Sequence, residues 1–342
     1  MSHWIAPVFL PHAGCPHRCV FCDQAAIAGS PSAPTPAEVG RRLELLFAPD
    51  RGRRPGRVRQ IAFFGGSFTG LDGSLQEAYL RVAGEHRKRG RIDSVRISTR
   101  PDALPEARIR FLAERGVHTI ELGVQSLSDT VLEASRRGHR SVDSVEAIER
   151  VRRAGLEVGA QIMLGLPGDT GRQSLETADA LCALKPDFVR IYPTLVLRGT
   201  ELAERTRAGR YVPLGLEAAV SLAAEVLGRF AAASIPVIRI GLHQTEDLRG
   251  TAVAAGPCHP AFGYLVRARL YYKTMCSVLG KTQSRGGGAL LFRIHPRDRS
   301  LFSGHRRSHH LRLEREFGVR EIRVEEDCTL ARGAVEVAPA DN

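Results

Sequence analysis

Cys15-Pro16-His17-Arg18-Cys19-Val20-Phe21-Cys22 lies directly after Ile5–Leu10, the first run that reads as a β-strand. Three cysteines spaced three and two residues apart in one loop can converge on a single metal centre. Structural zinc takes four protein ligands, and no fourth cysteine is near. His12 or His17 could complete such a set, so zinc stays open at this point. A four-iron cluster held by only three thiolates leaves one iron for an outside ligand, and Phe21 would lay an aromatic face against it.

Working outward, short β-branched runs alternate with longer amphipathic stretches. Strands are expected at Ile5–Leu10, Gln60–Phe64, Ser94–Ser98, Thr119–Gly123, Glu157–Leu164, Phe188–Tyr192 and Val237–Leu242. Helices are expected between them, several closed by glycine as in Arg89-Gly90, Arg115-Gly116 and Ala154-Gly155. Repeated strand-then-helix order predicts an α/β fold with a parallel sheet, as an open sheet or a barrel. In both, chemistry sits at the carboxyl ends of the strands.

Those ends carry further signals. Gly65-Gly66-Ser67-Phe68 follows the second strand, Ser98-Thr99-Arg100-Pro101-Asp102 ends the third, and Glu121-Leu122-Gly123-Val124-Gln125-Ser126 ends the fourth. Arg136-Arg137-Gly138-His139 follows the next helix. Gln161-Ile162-Met163-Leu164-Gly165-Leu166-Pro167-Gly168 ends the fifth strand and Arg190-Ile191-Tyr192-Pro193 the sixth. With the cysteine loop, this succession resembles the radical S-adenosylmethionine (SAM) superfamily. The resemblance is to the branch containing oxygen-independent coproporphyrinogen oxidase and the catalytic subunit of Elongator. It covers about residues 1–245 and leans toward the Elongator side through Thr-Arg-Pro-Asp and Gly-Leu-Pro-Gly.

The resemblance implies a partial (β/α)6-type parallel barrel and a [4Fe-4S] cluster on Cys15, Cys19 and Cys22. The open iron would chelate SAM. An electron from a flavodoxin- or ferredoxin-type donor would then release a 5′-deoxyadenosyl radical that takes hydrogen from substrate. It also implies that Gly65, Gly66, Ser67 and Phe68 meet the methionine end, glycine serving to let the ligand come close. Gly66→Val is accordingly expected to block the cofactor without unfolding the chain. Arg137 would pair with the carboxylate, and Gln125 and Gln161 with ribose hydroxyls. Read bare, Arg137 is also a surface arginine and Gln125 a turn cap; Glu121 faces either the lumen or the exterior, and Tyr192 is a packed tyrosine or a hydrogen donor. The sequence departs from the family in its cysteine spacing, which is wider in the Elongator subunit, and in lacking that subunit's acetyltransferase domain. Gln161 stands where the coproporphyrinogen branch has an acidic residue, and Ser98 where it has glutamate, so ribose contacts there would be rebuilt.

Across 342 residues the 49 basic side chains exceed the 37 acidic ones by 12, and only Lys88, Lys185, Lys273 and Lys281 are lysines. That surplus suits a polyanion such as RNA, although a GC-rich genome gives the same arginine bias. Seven cysteines, the last four scattered, argue against a disulfide framework. Cys182, Cys276 and Cys328 read as core residues, and Cys258 as a buried turn thiol or a second-site group. The most apolar stretch, Ala218 to Leu242, is broken by Glu225, Arg229 and Pro236, so no membrane span is expected, and no secretory signal is visible. A cytoplasmic enzyme is the reading; the oligomeric state is not legible.

The barrel is expected over 1–245, a connecting helical segment over 246–284 with a linker at 284–288, and a small α+β appendage over 285–342. Ala289–His295, Arg299–Phe302, Ser308–Phe317 and Val319–Val324 give strand, helix, helix, strand, which resembles the core of a KH domain. Gly304, His305, Arg306 and Arg307 form the loop that would clamp a nucleic-acid backbone, with one glycine where the family has two. From Arg293 to Arg315 seven arginines face two carboxylates. The bland alternative is a solvated basic helix packed on the barrel. Three functions compete: radical chemistry on RNA such as tRNA, the same chemistry on a small molecule or peptide, and a non-catalytic iron–sulfur or zinc module that binds nucleic acid. A SAM pocket speaks against the third.

Overall fold

The structure is a computed structural model describing residues 2–28, 32–47, 57–242, 252–281 and 289–340. The expected linker at 284–288 lies outside the described residues, as do 246–251 and 282–283 of the connecting segment. Contacts divide the chain into two compact units, Met1–Leu216 with Arg229–Cys258, and Glu217–Gly228 with His259–Asn342.

The first unit is built on β1 (Ser2–Leu10), β2 (Arg57–Gly65), β3 (Ser94–Thr99), β4 (Val117–Gln125), β5 (Glu157–Leu164), β6 (Phe188–Pro193) and β8 (Val237–Ile240). These pair side by side in chain order as one seven-stranded sheet, every pair parallel. The sheet is curled. The Arg190 guanidinium of β6 lies 4.8 Å from the Phe64 ring of β2, four strands away, whereas a flat sheet would separate them by about 19 Å at roughly 4.8 Å per strand. A two-stranded ribbon, β7 (Val196–Leu197) with β9 (Val253–Ala255), lies beside β6 in sequence.

Helices α1 (Gln24–Ala28), α2 (Pro36–Phe47), α3 (Gly73–Lys88), α4 (Glu106–Glu114), α5 (Asp129–Ala134), α6 (Ser141–Arg153), α7 (Gly171–Leu184), α8 (Glu201–Arg207) and α9 (Leu216–Ala232) follow in chain order. Local chemistry fixes their ends. Asp72 accepts the Ser74 amide at 2.9 Å to start α3, and Thr170 and Gln173 form a capping box on α7. Strand residues alternate. Ile61, Phe63, Val95, Ile97, Ile120, Leu122, Val158, Ala160, Val189 and Ile191 are at most 1% exposed and form the core. The intervening positions point into the lumen and are largely polar.

In the second unit the sheet order is β11 (Glu321–Glu326), β10 (Ala289–Ile294), β12 (Val335–Pro339). Its core joins Phe292, Phe302 and Leu313 with Tyr271, Tyr272 and Met275 of α10 (Phe262–Lys281). Helices α11 (Arg299–Ser303) and α12 (Ser308–Phe317) flank the Gly304–Arg307 turn. Two expectations change. The strand read at Val319–Val324 sits two residues later, because pairing runs from Ala289↔Glu321 to Ile294↔Glu326, and β12 is an additional strand. Among the described residues no helix is long and apolar enough to cross a membrane.

Candidate active site

The cysteine loop is locked to the turn after β2 by backbone packing. The Gly66 amide donates to Leu10 O at 2.9 Å and the Ser67 amide to Ala13 O at 2.9 Å. A Cβ on Gly66 would stand 2.0 Å from Ala13 O, one on Gly14 2.1 Å from Ser67 O, and one on Gly70 2.1 Å from Gly14 O. The space at Gly66 is therefore taken by the cysteine loop itself, which corrects the expectation that it is kept open for a ligand. Gly66→Val should destabilise the fold by about 1–3 kcal/mol, the usual cost of overpacking. It should also displace the cysteines, so iron content and SAM binding fall together. A variant with wild-type urea midpoint and iron content that lost SAM alone would restore the original reason.

Cys15, Cys19 and Cys22 line one cavity of about 490 Å³, and none of the three is in a disulfide. Burial, with Cys19 and Cys15 beside it, pushes the Cys22 thiol up to about 12. Burial likewise raises Cys15. Three crowded thiolates need a cation. Arg137 supplies part of one: its Nη1 lies 3.6 Å from Cys19 Sγ, and Nη2 donates to Gly123 O at 2.8 Å. This arginine is 8% exposed, not a surface residue, and its buried Nε has no partner.

Of the other residues expected to hold a cofactor, Gly65, Gly66, Ser98, Gln125, Arg137 and Gln161 line the same cavity. Gln125 takes a left-handed φ of 66° at the end of β4 and accepts from Gln161 Nε2 at 3.4 Å. The side chains of Ser67 and Phe68 are elsewhere. Ser67 Oγ meets Thr99 Oγ1 at 2.9 Å, and Phe68, 2% exposed, packs on Phe63 with ring centroids 5.2 Å apart. Cys258 and Cys328 are exposed rather than buried; Cys328 lies in the polar turn where the Thr329 amide donates to Asp327.

Sequence reasoning missed several supports. Gln24 ties the loop to β2 by donating to Gly65 O at 2.8 Å. Arg100, ion-paired to Asp102 at 2.8 Å, donates to Arg137 O at 2.6 Å and so orients the Arg137 segment. Glu121 faces the lumen and is held between Arg96, at 2.9 Å, and Arg190, at 3.1 Å. Tyr192, Arg190 and Arg239 also line the cavity.

A family model for the radical SAM superfamily matches residues 9–181, and one for the radical SAM C-terminal domain matches residues 186–272. The chain belongs to the radical SAM superfamily. As a radical SAM enzyme it uses a [4Fe-4S] cluster and SAM, and the three-thiol cavity with an orphaned arginine beside Cys19 fits that pair. It is 28% identical over 253 residues to a tRNA uridine(34) acetyltransferase of Methanocaldococcus jannaschii, covering 61% of this chain and 45% of that protein. It is 29% identical over 227 residues to an uncharacterised protein of the same organism, covering 63% and 68%. In fold it is similar to the N-terminally deleted Elp3 of Methanocaldococcus infernus, with TM-score 0.59, 23% identity and 80% and 68% coverage. The chain thus spans about half the length of the tRNA acetyltransferases it matches.

Proposed function

We propose that this radical SAM enzyme cleaves SAM and uses the radical to modify RNA, with tRNA as the substrate class. The observation that carries the proposal is the run of similarity to tRNA uridine(34) acetyltransferases through the barrel, 26–28% identity in three such proteins. A bound [4Fe-4S] cluster would supply the one-electron chemistry that cleaves SAM, with a flavodoxin- or ferredoxin-type protein as the proposed electron source. The chain's own residues position and enclose. Cys15, Cys19 and Cys22 would hold the cluster, Arg137 would neutralise charge beside it, Gln125 and Gln161 would offer donors and acceptors to the ribose, and the lumen would limit the access of water. Three cysteines kept as thiols in one loop fit a reducing, cytoplasmic setting. Anaerobic reconstitution followed by assay of 5′-deoxyadenosine with and without bulk tRNA tests the reading. No release in either condition overturns it, and release indifferent to tRNA moves the substrate to the small-molecule or peptide class.

RNA would be gripped by the second unit, whose strand–helix–turn–helix–strand order is KH-like. In the turn, Gly304, Arg306 and Arg307 adopt φ of 68°, 50° and 60°, and His305, Arg306 and Arg307 are exposed. Neighbouring Arg299 and Arg312 are engaged, with Glu326 at 2.9 Å and Glu316 at 3.1 Å, whereas Arg297, Arg306, Arg307 and Arg315 are exposed and give this face its basic character. Arg306→Ala with Arg307→Ala should weaken tRNA binding several-fold. It should also shrink the slope of log affinity against log salt by about one to two, since each phosphate contact contributes roughly one. SAM cleavage without RNA should not change. An unaltered salt slope would remove the turn from the RNA interface.

A further inference from the structure

The lumen holds a second charged feature, away from the cysteine loop. Arg190 of β6 and Arg239 of β8 are register partners on neighbouring strands, and both line the cavity. They lie level with Gln161, the β5 partner of Arg190. Like charges set side by side on adjacent strands repel. Arg190 is steadied: its Nε is 3.1 Å from Glu121, its guanidinium stacks over Phe64, and its Nη1 is 3.4 Å from Tyr192 OH. Arg239 is different. Its Nε donates to Gly241 O at 3.3 Å, and no carboxylate pairs with it among the described residues. Glu121 is already shared with Arg96, so among the described residues Arg190 and Arg239 outnumber the carboxylates that line this part of the lumen.

We propose that Arg190 and Arg239, with Tyr192 OH, form a substrate subsite for an acidic group, a carboxylate or a phosphate. Guanidinium forks match both anions in two-point contacts, and an anion between the two arginines relieves their repulsion. Arg190 is ion-paired to Glu121 without its Nε making a hydrogen bond, its face lies on Phe64, and its side chain borders the lumen. The proposal rests on the cofactor reading, which assigns the cluster and SAM to the Arg137 end of the same cavity and leaves this end to substrate. It adds to that reading that the reactant entering the lumen is an acid.

The test is equilibrium dialysis of the anaerobically reconstituted full chain, with and without SAM, against radiolabelled inorganic phosphate in one arm and radiolabelled acetate in the other. Wild type should take up one saturable equivalent in at least one arm, and the stronger arm names the group. Arg239→Gln should weaken that uptake at least tenfold, Arg239→Lys less, and Arg172→Gln, an exposed arginine of α7 remote from the cavity lining, not at all. SAM uptake should be equal in wild type and Arg239→Gln. No saturable anion in either arm, or equal affinity in Arg239→Gln, overturns the proposal. Loss of anion and SAM together in that variant does so too, since it would place the anion in the cofactor's own pocket. Wild type that binds phosphate but not SAM strikes the cofactor reading and leaves this subsite standing; SAM without anion does the reverse.

Discussion

Glu121→Ala should lower the stability of the protein by about 3–5 kcal/mol, because it strands the buried Arg96 and the largely buried Arg190 without their countercharge. Arg96 is 1% exposed and Glu121 2%, so water reaches the Arg96 side of the lost carboxylate poorly, while Arg190 borders the cavity. Arg96 would keep Gln60 Oε1 at 3.1 Å and the more distant Glu157 at 3.9 Å; Arg190 would keep only Tyr192 and the Phe64 ring. Glu121→Gln, which preserves shape and an acceptor, should cost less than the alanine but remain destabilising. Urea unfolding of the cluster-free protein isolates the effect from cofactor binding. A loss below about 1 kcal/mol for Glu121→Ala would mean that the lumen is wet enough to solvate both guanidinium groups. The burial that motivates the prediction would then be wrong.

The same residues show where the sequence was readable. All seven strands of the sheet stand out as β-branched runs, since their core faces need Val and Ile to pack under helices. The first residues of three did not: β1 begins at Ser2 rather than Ile5, β2 at Arg57 rather than Gln60 and β4 at Val117 rather than Thr119, because pairing with a neighbour extends a strand past its apolar part. Strand β12 escaped notice since only Val335 of its five residues is buried. The lumen carried a signal that went unused. Parallel strands covered on both faces usually read as continuous apolar runs, yet Val95-Arg96-Ile97-Ser98 and Ile120-Glu121-Leu122 alternate. Alternation inside a parallel sheet marks a polar lumen, and it would have pointed to Arg96, Glu121 and Arg190 together.

Motif order likewise brought the right residues to one cavity without saying which atoms face it. Gly65 and Gly66 border the space and Ser67 and Phe68 do not, because successive residues in the turn leave on different sides. The reason for Gly66 was out of reach from spacing. Its neighbour is the Ala13 carbonyl, more than fifty residues earlier in the chain, and only folding brings the two within contact.

Replacement of Cys15, Cys19 or Cys22 by alanine should each abolish the oxygen-sensitive brown chromophore and 5′-deoxyadenosine release, the largest functional losses expected in this chain. A cluster with only two protein thiolates has two irons to satisfy from solvent, and the loop between β1 and α1 offers no spare cysteine. His12 and His17 are already committed, His12 to the Gln24 amide at 3.0 Å and His17 to Arg137 O at 3.1 Å. Neither is placed to substitute. The alanine variants should fold, since the loop is held to the turn after β2 by backbone hydrogen bonds that the thiols do not make, and their urea midpoints should match apo wild type. Cys182→Ala and Cys328→Ala should keep iron and colour. Retention of four irons by the triple alanine variant would show that the cluster is bound elsewhere. Stoichiometric zinc in anaerobically prepared wild type would show that the loop holds a different metal.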